Sequence, residues 1–67
     1  MRLRKCSDIS MVFPEYYEVV SEDNTVLLDI HLNEEGMTKV SINNSTIDIN
    51  VMLKLLNDAY TKLNAEK

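Results

Sequence analysis

The central part of the chain alternates between apolar and polar residues. From Thr25 to Leu32, every second side chain is apolar, which is typical of a strand with one buried face. The residues predicted on the buried face are Val26, Leu28, Ile30 and Leu32. Upstream, Tyr16–Val20 is rich in aromatic and β-branched residues and predicts a partner strand. Downstream, Thr38–Asn43 alternates again and predicts a third strand.

Short turns separate these strands. Residues 21–24, Ser-Glu-Asp-Asn, have turn chemistry, because Asp and Asn bond locally and tolerate the left-handed conformation. Residues 33–36, Asn-Glu-Glu-Gly, hold the only glycine, at a position where a hairpin loop requires positive φ. Strands joined by such short loops form an antiparallel meander, which we place at residues 15–43.

The C-terminal third changes to a helical period. We expect a helix within residues 48–64, starting at about residue 49, with Asp48 as its N-cap or Ser45 capping it one turn earlier. One apolar stripe should cover the inner face of the meander, and its members are Ile49, Met52, Leu53, Leu56, Ala59, Tyr60 and Leu63. Val51 and Leu55 lie one turn apart outside that stripe and form a second apolar patch.

Residues 1–14 carry the weakest pattern. Leu3, Cys6 and Ile9 fit a short helix, but we favour an extended segment at a sheet edge, where Pro14 would deter further pairing. The sequence thus predicts an α+β fold in one small domain. Its sheet is an antiparallel meander of three strands, or of four with the N-terminal segment, packed against one C-terminal α-helix.

The size of the chain makes stability marginal. Sixty-seven residues form one domain at most, and a domain of about 60 residues buries only about 60% of the surface of its unfolded chain. Cys6 is the only cysteine and His31 the only histidine, so an internal disulfide and a closed Cys/His zinc site within one chain are excluded. Association with another protein, or with a second copy in a homodimer, is the remaining support.

Charge is segregated along the sequence. Between Cys6 and Thr38 there are eight carboxylates and no lysine or arginine. This pattern repels nucleic acid and attracts basic partners. Arg2, Arg4 and Lys5 form a cluster of three charges, which is too small to favour direct nucleic-acid binding.

Few residues offer catalytic or metal-binding chemistry. Asp29 and His31 share a strand face, and Cys6 is the one candidate nucleophile, with Arg4 and Lys5 as neighbours that could lower its pKa. Nothing in the sequence brings Cys6 to His31, so we predict no enzyme. Two acidic loops, 22–24 and 34–35, lie at opposite ends of the middle strand and cannot pool ligands for a metal ion. We expect no metal and no cofactor.

Apolar residues on the predicted outer surface are the best indication of function. An apolar centre rimmed by charge is typical of a protein-binding surface. The predicted partner-binding residues are Glu18, Leu27, Asp29 and His31 on the sheet, with Val51 and Leu55 on the helix.

These features predict a small non-catalytic acidic protein that binds and modulates or inhibits a macromolecular partner. Its length and acidity are similar to those of phage-encoded inhibitors, immunity proteins and antitoxins, which is a resemblance of type without a shared motif. Mimicry of nucleic-acid phosphates by the acidic segment is a sharper version of this hypothesis. The alternative is a homodimeric regulatory protein whose basic N-terminus makes weak contact with nucleic acid.

The expected location is the cytoplasm. Residues 1–5 resemble the basic start of a signal peptide, but Cys6-Ser7-Asp8 follows where an apolar stretch should begin. A lone thiol agrees with a reducing compartment, and no apolar run reaches the length of about 18 residues needed to span a membrane.

Overall fold

The computed structural model describes residues 1–43 and 46–66, and it confirms the α+β fold with four strands in the sheet. The elements are β1 (Arg2–Ser7), β2 (Glu15–Val20), β3 (Val26–Leu32), β4 (Thr38–Ile42) and α1 (Ile49–Glu66). The strands lie in the order β1-β2-β3-β4, and each pairs antiparallel with its neighbour in sequence. Helix α1 packs on one face of this sheet, mainly over β1, β2 and β3.

The N-terminal segment is the extended edge strand that we favoured. Strand β1 pairs with β2 along its whole length, from Arg2 opposite Val20 to Ser7 opposite Glu15. We had expected Pro14 in this edge strand, but it lies directly before β2. Its carbonyl accepts a hydrogen bond from the N–H of Asp8 at 2.9 Å, which closes the loop between β1 and β2.

Both predicted turns adopt the backbone conformations that their residues favour. Asn24 in the β2–β3 turn has φ 66°, and Gly36 in the β3–β4 turn has φ 79°. The N–H of Asn33 donates to the carbonyl of Met37 at 2.9 Å, closing the second turn. Local side-chain and backbone preferences therefore fix where β3 begins and ends.

The inner face of β3 forms the centre of the core, as its alternation predicts. Leu28, Ile30 and Leu32 are 0–3% exposed. Val26, the fourth residue predicted on this face, is only half-buried and lies outside the core cluster, at the end of β3 where the register with β2 shifts. Around them the core cluster is completed by Tyr17 and Val19 of β2 and by Ala59 and Leu63 of α1. Burial of this apolar surface is the main source of stability in so small a domain.

The helix begins as predicted. Asp48 is the N-cap, because its Oδ2 accepts a hydrogen bond from the N–H of Val51 at 3.0 Å. Ser45, the alternative cap, lies outside the described residues. The helix extends to Glu66, two residues beyond the predicted end.

The predicted helix stripe is only partly correct. Met52, Leu56, Ala59 and Leu63 do pack on the sheet. The prediction that the sheet also covers Ile49, Leu53 and Tyr60 is wrong, since these residues are 54–57% exposed. Leu55, assigned to the second patch, is half-buried and packs against the core. The apolar surface of α1 is wider than one stripe, and the sheet covers a side rotated toward Leu55.

No helix within the described ranges is both long and apolar enough to cross a bilayer.

Candidate interaction surface on the outer face of the sheet

The face of the sheet turned away from α1, here called the outer face, carries three of the six predicted site residues, namely Glu18, Asp29 and His31. One row crosses all four strands, because Arg4 pairs with Glu18, Glu18 with Asp29, and Asp29 with Ser41. In the neighbouring row, Cys6 pairs with Tyr16 and His31 with Lys39. Side chains of paired residues share a face, so the two rows lie side by side.

Glu18 is held by two side chains of β1. The Arg4 guanidinium donates to Oε1 of Glu18 from Nη2 at 2.6 Å and from Nε at 3.1 Å. The thiol of Cys6 donates to the same oxygen, with an Sγ–Oε1 distance of 3.1 Å. These hydrogen bonds, that of Arg4 above all, lower the pKa of Glu18. The Glu18 side chain is only 16% exposed, so it is a half-buried acid held within the sheet more than a displayed charge.

The environment of Cys6 does not activate its thiol. Desolvation raises the pKa of Cys6, and the adjacent Glu18 carboxylate raises it further, outweighing Arg4. A raised pKa leaves less thiolate at neutral pH, whereas nucleophilic cysteines have lowered pKa values. Strand β2, which carries Tyr16 opposite Cys6, also lies between Cys6 and His31 of β3. The neighbouring cations thus fail to give the low pKa that the sequence allowed.

Asp29 and His31 form a second polar pair on this face. Nδ1 of His31 lies 2.9 Å from Oδ1 of Asp29, and the two side chains are 26% and 35% exposed. They line a shallow depression of about 250 Å³, whose other walls are Met11, Tyr16 and Ser41. Methionine and tyrosine are enriched at the centres of protein interfaces, and a paired acid and imidazole supply polar groups at the floor.

The loop between β1 and β2 shapes this depression. Its Asp8 carboxylate accepts hydrogen bonds from the N–H and hydroxyl of Ser10, at 3.0 and 2.6 Å. Met11 follows, and its N–H donates to the Asp8 carbonyl at 3.1 Å. The loop thereby places Met11 beside Tyr16 and His31.

The acidic stretch of the sequence does not produce an acidic outer face. Arg4 of β1 and Lys39 of β4 share this face with Glu18 and Asp29. The exposed acids of this stretch instead lie in the loops and turns, at Asp8, Glu22, Asp23, Glu34 and Glu35. Residues far apart in sequence thus neutralise the face, and it lacks the row of free carboxylates that phosphate mimicry requires.

The basic N-terminal cluster is likewise engaged within the fold. Nη2 of Arg2 lies 2.5 Å from Oδ1 of Asn24, and Nζ of Lys5 lies 3.8 Å from Oε2 of Glu15. With Arg4 bound to Glu18, these side chains brace β1 against β2 and the following turn. The geometry therefore adds nothing to the case for nucleic-acid contact.

The six predicted partner-binding residues divide between two sides of the sheet. Glu18, Asp29 and His31 come together on the outer face. Leu27 is half-buried and packs against the core. Val51, 39% exposed, and Leu55 belong to α1, which covers the opposite side of the sheet.

Sequence reasoning missed Met11, Tyr16 and Ser41 as lining residues of the depression. The alternation in β4 places Ser41 on the face opposite Val40 and Ile42. In β2 two tyrosines are adjacent, so the sequence allowed Tyr16 to point to the outer face but did not single it out as a site residue. No pattern in the sequence indicated that Met11 would line the depression, because its position depends on the conformation of the loop from Asp8 to Pro14.

Among the described residues, no group of three or more His, Cys, Asp or Glu side chains is arranged to hold a metal ion. Comparison of the chain with protein-family models, with curated proteins and with solved structures gave no match.

Proposed function

We propose that the protein is a small non-catalytic interaction protein that binds another protein through the outer face of its sheet and so modulates or inhibits it. The observation that carries this proposal is the depression lined by Met11, Tyr16, Asp29, His31 and Ser41 on the face that α1 leaves uncovered. Its mixture of aromatic, thioether and polar groups suits an aromatic or long aliphatic side chain of the partner that ends in a polar atom.

The outer face has nearly balanced charge, which favours a partner selected by shape and hydrogen bonds. Long-range attraction contributes little when Arg4 and Lys39 accompany Glu18 and Asp29 on one surface. The affinity should therefore change little between low and moderate salt. A steep loss of affinity with salt would instead point to the acidic turns as a mimic of phosphates.

The experiment is affinity capture from the native host with matched variants as bait. Met11→Asp places a charge in the depression, and Val51→Asp places the same charge on exposed helix surface on the other side of the sheet. We expect a protein that binds wild type and Val51→Asp stoichiometrically and is lost with Met11→Asp. A partner retained by Met11→Asp but lost with Val51→Asp would refute the outer face as the binding surface.

A further inference from the structure

A second surface, on the opposite side of the sheet, is exposed and apolar, and no charged residue of the described part of the chain lies in it. Val40 and Ile42 of β4 pair with Ile30 and Leu28, so they point toward the helix side of the sheet. Ile30 and Leu28 are 1% and 0% exposed, yet Val40 and Ile42 are 42% and 61% exposed. Helix α1 therefore leaves the inner face of β4 uncovered.

One flank of α1 faces this uncovered strand. Nδ2 of Asn64 donates to Oγ1 of Thr38 on β4 at 3.1 Å, which orients the Asn64 flank toward β4. The opposite flank carries Lys62, whose ammonium lies 5.8 Å from the centre of the Tyr17 ring on β2. At about 100° of rotation per residue, Ile49, Leu53 and Tyr60 lie within about 60° of Asn64. All three are more than half exposed.

Val40, Ile42, Ile49, Leu53 and Tyr60 are here called the β4 flank. The other positions on this flank of α1 are polar but uncharged, namely Asn50, Asn57 and Thr61. Lys39, the one charged residue of β4, shares the outer face with His31. Charged residues make up 27% of the chain, so their absence from this surface matches the depletion of charge at interface centres.

We propose that the β4 flank binds a second copy of this chain in a two-fold symmetric homodimer. Strand β4 is at the edge of the sheet, with β3 on one side and a row of backbone N–H and C=O groups on the other. A two-fold axis pairs β4 antiparallel with its copy and joins the two sheets into one of eight strands. Centred on Val40, this pairing sets Val40 against Val40 of the copy and Ile42 against Thr38 of the copy, under the two helix flanks.

The distribution of charge around the β4 flank and its exposed area both agree with a second copy of the chain as the binding partner. Centred on Val40, the antiparallel pairing sets Lys39 opposite Ser41 of the copy, so the two lysines do not face each other. It also sends the acidic β3–β4 turns, which carry Glu34 and Glu35, to opposite ends of the interface. The five apolar residues are 42–61% exposed, which amounts to roughly 500 Å² of accessible surface. Complete burial of this apolar surface would supply more than half of the roughly 800 Å² that each partner contributes to a standard interface, and the strand edge and the amide side chains would add to it.

The test is sedimentation equilibrium or light scattering over a range of concentrations. We expect the wild type to move from 7.7 kDa toward twice that mass as its concentration rises. Leu53→Glu should raise the dimer dissociation constant by about tenfold or more, because it puts two like charges into a desolvated contact. Val51→Glu is the matched control and should dimerise like wild type, since Val51 lies on the other flank.

A wild type that stays monomeric at the highest concentration would overturn the proposal, as would dissociation by Val51→Glu but not by Leu53→Glu. If Leu53→Glu fails to fold, amide hydrogen exchange of the wild type decides instead. The backbone N–H groups of β4 that are not hydrogen-bonded to β3 should exchange more slowly as the protein concentration rises. Exchange rates that do not change with concentration would refute the interface. The β4 flank is separate from the outer face, so this proposal and the proposed function can fail independently.

Discussion

Two leucines of α1 provide a direct test of which side of the helix the sheet covers. Leu63 is 1% exposed and belongs to the core, whereas Leu53 is 56% exposed. Replacement of each by alanine removes the same atoms and changes helix propensity little. The difference between the two variants therefore reports burial alone.

The expected magnitudes follow from this difference in burial. Leu63→Ala removes three buried carbons, at about 0.8 kcal/mol each, and leaves a cavity, so a loss of about 2–5 kcal/mol is expected. Leu53→Ala should cost less than about 1 kcal/mol, because much of that side chain is already in water. A 67-residue domain has roughly 3–10 kcal/mol in total, so Leu63→Ala should remove a large fraction of it.

The assay is urea unfolding followed by far-UV circular dichroism, at concentrations low enough to keep the chain monomeric. Each kcal/mol should also lower Tm by roughly 4–8 °C in a domain of this size. Equal losses for the two variants, or a larger loss for Leu53→Ala, would show that the helix packs on the sheet through a different side.

Three further substitutions test local features. Gly36→Ala should cost about 1–2 kcal/mol in urea unfolding, because its φ of 79° disfavours an L side chain even where there is space for a methyl group. Asp48→Ala should cost about 1 kcal/mol through loss of the N-cap, and a neutral result would show that the helix start is capped otherwise. Glu18→Gln should lower the free energy of unfolding at neutral pH. Because folding lowers the pKa of Glu18, the stabilisation by its carboxylate is present above the ordinary glutamate pKa of about 4.3 and is lost as pH falls through the pKa of the folded state. The difference in stability between the variant and wild type should therefore disappear in acid. The same variant should speed alkylation of Cys6 near neutral pH, because the carboxylate that raises the thiol pKa is gone, and an unchanged rate would mean that burial alone controls Cys6.

The sheet was predictable where alternation and turn chemistry agreed. Strand β3 has strands on both sides and a helix over one face, so its side chains must alternate between core and surface. Strand β1 lies at an edge, and Lys5 shares its inner face with Leu3, which breaks the apolar pattern. Its pairing with β2 therefore had no clear signal in the sequence.

The covered side of α1 and the charge of the outer face were not predictable, for a common reason. Both depend on how distant segments are placed against each other. Ile49, Leu53 and Tyr60 are as apolar as the residues that do pack, and only the crossing of α1 over β1, β2 and β3 separates the two sets. Likewise Glu18 belongs to an acidic stretch, but the register of β1 sets Arg4 opposite it.

The simple strand order also has a consequence for how the chain folds. Each strand pairs with its neighbour in sequence, so every hairpin closes over a short loop at small entropic cost. Such a topology should fold faster than a β-sandwich of distant pairings. Helix α1 rests on the three strands farthest from it in sequence, so its docking requires them in place and should be the last step. During synthesis, the β1–β2 hairpin can therefore form while the helix is still inside the ribosome.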